Sequence, residues 1–148
     1  AAAGPDKLDG LQELQPDASI DYTQPGWEAR IPTPPTVVLD GVGGDIGRTA
    51  LDSAAPGARI VMFGFSSGTS TALATADLVR GSLSVSWALG PRMAAYPGGT
   101  AGLARRAVQL GGQGGWQPLV TSYPLADAAR AHRDLEERRT VGKVVLIS

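Results

Sequence analysis

The fold is decided by residues 36–68, which read TVVLDGVGGDIGRTALDSAAPGARIVMFGFSSG. This stretch contains two short apolar runs, 36–40 and 59–63, and each run leads directly into a glycine-rich turn. Residues 48–55, between them, have the composition of a short helix. Apolar runs without polar alternation are typical of strands that are covered on both faces, as in a parallel sheet between helices. The pattern therefore predicts an α/β protein built around two parallel strands.

The glycine turns 41–47 and 64–68 both follow the carboxyl end of a predicted strand. In open parallel sheets, ligands bind in the crevice outside the carboxyl ends of the strands. We therefore expect the two turns to lie together and to form the ligand-binding rim.

Hydrophobic spacing predicts further elements on both sides of this unit. Helices are predicted at 5–14, 100–110 and 125–139, single helical turns or short helices at 27–31 and 70–78, and strands at 18–22, 82–89, 119–123 and 143–147. The glycine cluster 111–115 is predicted to mark a seam between domains.

Composition excludes several classes of function. The chain has 148 residues, a formal net charge of -1, no cysteine and one histidine, so disulfides and multi-histidine or thiolate metal sites are not expected. The nearly equal numbers of acidic and basic residues do not indicate the basic surface that nucleic-acid binding requires. No apolar run approaches the ~20 residues of a membrane span. The first residues also lack the features of a signal peptide. We expect a cytoplasmic protein with neither nucleic acid nor membrane as a partner.

The turn GVGGDIG at 41–47 invites comparison with the dinucleotide fingerprint G-x-G-x-x-G. The spacing does not match, because Ile46 stands where the third glycine is required and Gly47 comes one residue late. The acidic residue expected about 20 positions later is also missing. We interpret the stretch as a glycine turn before a helix, with Asp45 placed to cap that helix.

The turn GFSSG at 64–68 matches the nucleophile elbow G-x-S-x-G of α/β-hydrolases. A serine hydrolase would use Ser66 as nucleophile, then Asp77 or Asp127, and then His132. The residues after Gly68 are a poor helix start, although the elbow requires one. His132 falls inside a predicted helix, where we interpret it as a partly buried packing residue. The hydrolase is therefore kept as an alternative.

Read together, several segments resemble the quinone oxidoreductase branch of the medium-chain dehydrogenase/reductase family. They are Asp6-Lys7-Leu8, Ser19-Ile20-Asp21-Tyr22, VVLDGVGG at 37–44, FGFSSG at 63–68, Gly81-Ser82-Leu83, YPLADAARAH at 123–132, and the tail from Glu136 through GKVVL at 142–146. Each motif alone is weak, but they occur in the family's order over nearly the whole chain.

The resemblance implies a partial Rossmann-type, doubly wound parallel sheet at 1–112. It implies that 113–148 form a helix-strand segment that returns to a GroES-like catalytic domain. The first Rossmann strand, its glycine-rich loop and the rest of the catalytic domain have no counterpart in these residues. We therefore expect a partial chain or a truncated relative.

The resemblance also implies NADPH-linked hydride transfer to a quinone, enone or similar carbonyl compound. It implies no catalytic metal, although zinc-binding dehydrogenases belong to the same family. Lys7, Tyr22 and Arg138 match residues that hold the 2′-phosphate end of the cofactor. Residues matching the nicotinamide side are Gly41, Val42, Gly43, Phe63, Gly64, Phe65 and Ser66. No catalytic acid or base is identified.

Two further expectations concern association. The strand matching residues 82–89 pairs across a dimer in many members of the family, so a homodimer is expected. A third functional hypothesis is a non-catalytic remnant that acts by association with another chain, because the missing first strand would leave its two neighbours unpaired.

Overall fold

The computed structural model describes residues 1–12 and 14–148. Within them the strands are β1 (Ala2–Ala3), β2 (Ile20–Asp21), β3 (Val37–Asp40), β4 (Arg59–Met62), β5 (Ser84–Trp87), β6 (Val120–Pro124) and β7 (Lys143–Ile147). The α-helices are α1 (Leu8–Gln12), α2 (Gly44–Asp52), α3 (Thr75–Gly81), α4 (Pro91–Ala94), α5 (Gly99–Gly112) and α6 (Ala128–Glu136). Short 3-10 turns occupy Pro5–Lys7, Trp27–Arg30 and Leu125–Asp127. This is the α/β fold that the sequence predicts.

The chain divides into two compact units. Unit 1 combines Ala1–Asp21 with Ala104–Ser148, and unit 2 is the continuous segment Tyr22–Leu103. The boundaries of the two units reflect how the residues pack together in the structure. The predicted division of the chain into 1–112 and 113–148 by family domain stays a prediction.

Unit 2 contains a three-stranded parallel sheet in the order β3-β4-β5. Val37 pairs with Arg59, and Asp40 pairs with Met62, so both strands end at the same level. The predicted parallel adjacency of the two apolar runs is therefore confirmed. β5 lies on the other side of β4, with Trp87 opposite Met62.

Helix α2 packs against β3 and supplies the buried residues Gly47 and Leu51, which lie one turn apart. Ile60 at the centre of β4 is 1% exposed. The centre of the middle strand is thus buried, as expected for a strand with a neighbour on each side.

In unit 1, β1 pairs in parallel with β2, and β6 pairs in parallel with β7. Helix α6 contacts both β6 and β7 and buries Ala131. The observed bounds of β7 are those that the sequence predicts. Arg138, just beyond α6, has a left-handed backbone with φ of 58°.

Four local predictions are corrected. Helix α2 begins at Gly44 rather than near residue 48, and Asp45 does not cap it, because Gly43 holds the N-cap position and Asp45 lies in the first turn. The helix predicted at 125–139 opens as a 3-10 turn and ends at Glu136. His132 is exposed rather than partly buried.

Candidate functional site

The two glycine turns lie side by side at the carboxyl ends of β3 and β4, where the sequence predicts a binding rim. Three backbone hydrogen bonds join the first turn to the second turn and the residue beyond it. They run from Ser66 N to Gly41 O at 3.1 Å, from Ser67 N to Val42 O at 2.9 Å, and from Gly44 N to Thr69 O at 2.9 Å. The two turns therefore form one connected surface.

Asp40, the last residue of β3, holds this surface in place. Its side chain lies under the first turn, and the residue is only 6% exposed. Oδ1 accepts hydrogen bonds from the backbone N–H groups of Val42 and Gly43, each at 2.9 Å. Oδ2 accepts one from the Thr71 hydroxyl at 2.6 Å. A buried carboxylate is tolerated when its oxygens are bonded in this way.

Our sequence interpretation did not identify this role of Asp40. The signal available in the sequence is an aspartate that ends an apolar strand directly before a glycine turn, since aspartate side chains bond to backbone N–H groups two or three residues onward.

Two glycines are required by close approach. Gly43 has φ of +72°, and a Cβ there would lie 2.3 Å from the Thr69 carbonyl oxygen. A Cβ on Gly47 would lie 2.0 Å from Thr71 Oγ1 and 2.5 Å from Asp40 Oδ2. The first glycine lets the turns meet, and the second lets α2 pack over the Asp40–Thr71 pair.

The donor pattern of the turns determines which ligand they suit. The N–H groups of Val42, Gly43 and Gly44, and those of Ser66, Ser67 and Gly68, already bond within the surface. A phosphate cradle needs such groups free, so these six N–H groups do not offer one. The exposed rings of Phe63 and Phe65, 47% and 51% exposed, instead suit a flat uncharged ring such as nicotinamide.

The remaining residues of the predicted cofactor set lie elsewhere. Gly64 belongs to the second turn. Tyr22 follows β2 and lines a cavity of about 380 Å³ in unit 2 with Trp27 and Asp45. Lys7, half-buried, ends the first 3-10 turn of unit 1, and Arg138 belongs to the same unit. Their roles in binding stay predictions.

The geometry around Ser66 lacks features that a hydrolase needs. In the described part of the chain, no helix begins after Ser66 until Thr75, whereas a nucleophile elbow passes directly from strand to helix. Asp77 bonds to Arg48 and to Ala74 N, and Asp127 bonds to Arg130. Among the described residues, Asp127 makes no hydrogen bond to His132, which belongs to the same unit.

Comparison with known families decides the identity. The family model for zinc-binding dehydrogenases matches residues 14–146. The chain belongs to the zinc-binding dehydrogenase family.

Within this family, several known proteins are similar to the chain. A curated quinone oxidoreductase from Pseudomonas aeruginosa is 37% identical over 116 residues, which cover 75% of this chain and 35% of that protein. A solved mycobacterial protein in complex with NADPH is 28% identical, with a TM-score of 0.80 over 99% of this chain and 47% of its own. An NAD-dependent alcohol dehydrogenase is 30% identical, with a TM-score of 0.81 over 100% of this chain and 43% of its own.

The chain therefore spans about a third of the length of the curated relative and less than half of these solved structures. These comparisons show a member of this family with a Rossmann-like parallel fold, and both nicotinamide cofactors occur in the names of similar proteins.

The family's name implies a zinc ion. Zinc sites use three or four Cys, His, Asp or Glu side chains. The chain has no cysteine, and among the described residues no group of three or more such side chains could hold a metal ion. The residues present therefore do not fit zinc.

In the described part of the chain, no helix is long and apolar enough to cross a membrane.

A charge network beside the rim ties α2 to α3. Arg48 donates to both oxygens of Asp77 at 2.7 and 2.8 Å and to Asp52, while Arg80 also contacts both carboxylates. The hydrogen bond from Arg48 holds the pKa of Asp77 well below its usual range, helped by the bond from Ala74 N. Arg48 also lowers the pKa of Asp52, and the bonds to Asp77 and Asp52 raise the pKa of Arg48.

A second cluster lies in unit 1. The Tyr123 hydroxyl donates to Asp134 Oδ2 at 2.9 Å, and Arg139 donates to Asp134 Oδ1. Arg139 and Tyr123 together lower the pKa of Asp134, and the bond to Asp134 raises the pKa of Tyr123. The Arg130 guanidinium lies 5.2 Å from the Tyr123 ring centroid. The cluster connects β6 to α6 and provides the buried Tyr123 hydroxyl with a hydrogen-bond acceptor.

Proposed function

We propose that this chain is the C-terminal part of an NADPH-dependent oxidoreductase that reduces quinones or α,β-unsaturated carbonyl compounds. The observation that carries the proposal is the rim formed by the two joined glycine turns, with the exposed rings of Phe63 and Phe65. The identity shared with a curated quinone oxidoreductase supports the substrate class. The similar solved structure determined with NADPH supports the cofactor.

When bound, reduced nicotinamide supplies a hydride for an electrophilic carbon of the substrate. The part of this chain is to hold the ring at the rim. The Asp40 bonds fix the first turn before any ligand arrives, and Phe63 and Phe65 exclude water from one side of the ring. No residue is assigned as a catalytic acid or base.

The preference for NADPH over NADH is proposed to come from Lys7 and Arg138, with the Tyr22 ring at the same end of the cofactor. Two cations suit a phosphate monoester, since charge-assisted hydrogen bonds are about twice as strong as neutral ones. NADH lacks this phosphate, so its binding should depend little on either side chain.

The test is calorimetric titration of NADPH and NADH into the full-length protein that carries this chain. Lys7→Gln and Arg138→Gln should each weaken NADPH by about 10- to 100-fold, the loss of one charge-assisted bond, and change NADH by less than about threefold. Lys143→Gln removes another unit 1 cation and serves as the control. Equal losses for both cofactors would contradict the 2′-phosphate role.

We also propose that the protein works in the cytoplasm as a homodimer that pairs through β5. This strand lies at one side of its sheet, where unpaired backbone groups can accept a second strand. The non-catalytic hypothesis remains the competing one. It gains support if the full-length protein shows no thermal shift with either cofactor, and loses it if NADPH stabilises the protein.

A further inference from the structure

An aromatic pair stands next to the proposed nicotinamide rim. The rings of Phe65 and Trp87 are stacked, with centroids 6.1 Å apart and planes inclined by 26°. Phe65 lies in the second glycine turn, and Trp87 ends β5. The pair therefore joins the carboxyl ends of two neighbouring strands.

Both rings are held by the backbone that carries them. The position where a Cβ on Gly43 would stand is 3.0 Å from Phe65 Cβ, so the two turns pack closely at this point. Trp87 is paired with Met62 in the sheet, and the following residue, Ala88, donates to Met62 O at 2.9 Å. The pair is thus anchored to the rim by regular hydrogen bonds rather than by a free loop.

Both rings are also open to solvent. Phe65 is 51% and Trp87 40% exposed, and neighbouring Phe63 is 47% exposed. Aromatic faces gathered at a binding rim favour a planar apolar partner, because stacking and area burial act on the same surface. Our sequence interpretation did not identify Trp87. Alternation along a strand predicts which face of the sheet a side chain lies on, but it does not predict which residue of another segment contacts that side chain.

We propose that Phe65 and Trp87 form a specificity-determining aromatic wall, which selects substrates whose carbonyl group belongs to a fused aromatic ring system. The inference rests on the proposed function, since it concerns the substrate of the same site. A one-ring quinone can sit at the rim alone, whereas each additional fused ring extends over the wall. Each stacked ring should improve affinity by about two- to tenfold.

The first test compares kcat/KM for benzoquinone, naphthoquinone and phenanthrenequinone with NADPH, in the full-length protein that carries this chain. Each variant is compared with the wild type on the same substrate, so intrinsic quinone reactivity cancels. Trp87→Ala should lower kcat/KM for the three-ring quinone by about tenfold or more, and for benzoquinone by less than about twofold. Trp87→Phe should restore most of the loss.

Trp116 provides the matched control. Its indole is 47% exposed and donates to Ala107 O at 3.3 Å. Trp116 belongs to unit 1, whereas both glycine turns belong to unit 2. Trp116→Ala should leave the ratio between the three quinones unchanged. A loss that is equal for all quinones in Trp87→Ala would overturn the proposal, because a merely structural role predicts that result.

A second test needs no turnover. Titration calorimetry measures binding of phenol and naphthol, which the protein cannot reduce, to the wild type and to Trp87→Ala. The wild type should prefer naphthol, and Trp87→Ala should lose that preference. If the wild type reduces no quinone, the proposed reaction is wrong. A preference for naphthol that depends on Trp87 would still support the aromatic wall. If the wild type shows no such preference, the aromatic wall is refuted.

Discussion

Asp40 shows how one side chain can set the shape of a binding surface. Its two oxygens receive the hydrogen bonds from Val42, Gly43 and Thr71, which link the end of β3 to the first turn and to the segment beyond the second. Because the carboxylate is buried, water cannot readily replace it as the acceptor, and losing these hydrogen bonds would cost free energy of folding. The conformation of the first turn is therefore fixed by Asp40 at the end of β3 and does not depend on a bound ligand.

Asp40→Ala should destabilise the chain by about 2–5 kcal/mol, because two backbone N–H groups and a hydroxyl lose their acceptor. Asp40→Asn should cost about 1 kcal/mol, since the amide oxygen can serve both N–H groups and the Thr71 hydroxyl can accept from the amide. Urea unfolding followed by circular dichroism measures both. Equal stability of the two variants would show that hydrogen bonding is not the cause.

Gly47→Ala should destabilise the chain although alanine favours helices. The added methyl would meet Thr71 Oγ1 and Asp40 Oδ2, at a cost of about 1–3 kcal/mol. Gly112→Ala is the matched control in helix α5, because its Cβ would meet nothing within 4 Å. It should raise stability by about 0.5–1 kcal/mol. Thermal unfolding of both variants, with shifts of opposite sign, is the expected result.

At the level of elements, the charge network makes the α2–α3 connection sensitive to acid. The pKa of Asp77 is lowered in the folded chain, chiefly by the bond from Arg48. Its contribution to stability is therefore complete above the ordinary carboxyl pKa of about 4 and is lost as the pH falls below it.

Asp77→Asn should lower the melting temperature at neutral pH, and the gap to wild type should narrow below about pH 4. The amide oxygen can keep the bond from Ala74 N, so the change isolates the charge. Asp127→Asn is the control, because Asp127 and Arg130 form an exposed pair worth about 0–1 kcal/mol. A gap that does not depend on pH would show that packing, not charge, stabilises the connection.

The proposed dimer makes a prediction about the free side of β5. Ser84 and Ala88 donate their N–H groups to residues of the β4 segment. Residues between them at odd positions, such as Val85, therefore direct N–H groups to the open side. Val85→Pro should convert a dimer to a monomer in light scattering, and Ser84→Lys should weaken it. An unchanged mass for Val85→Pro would exclude this interface, provided that circular dichroism shows a folded chain.

The sequence predicts the strands of this fold better than its helix starts. The strands β4 and β7 each consist of a short run of mostly apolar residues, and the length of that run predicts where the strand begins and ends. Helix α2 begins earlier than predicted because Gly43 can adopt a positive φ, which composition alone does not reveal. The rim was predicted from two turns, but the Asp40 brace and the Phe65–Trp87 pair depend on contacts between distant residues.

For the whole molecule, exposure separates residues of similar chemistry. Ile60 is 1% exposed and Leu39 is 68% exposed, although both belong to strands of the same sheet. Ile60→Ala should cost about 2–5 kcal/mol, whereas Leu39→Ser should change stability by less than about 0.5 kcal/mol. Denaturant titration measures both. A large loss at Leu39 would mean that this face is covered in solution, by a second copy or another segment.

The division of the chain into a continuous unit and a split one has a consequence for synthesis. Unit 2 is finished once Leu103 has left the ribosome, so its sheet can form while translation continues. Unit 1 needs its second part, which ends at Ser148, and its first 21 residues must wait for it. Residues 1–21 therefore leave the ribosome before unit 2 but are packed into a complete unit only after it, which leaves them open to chaperones and proteases during the interval.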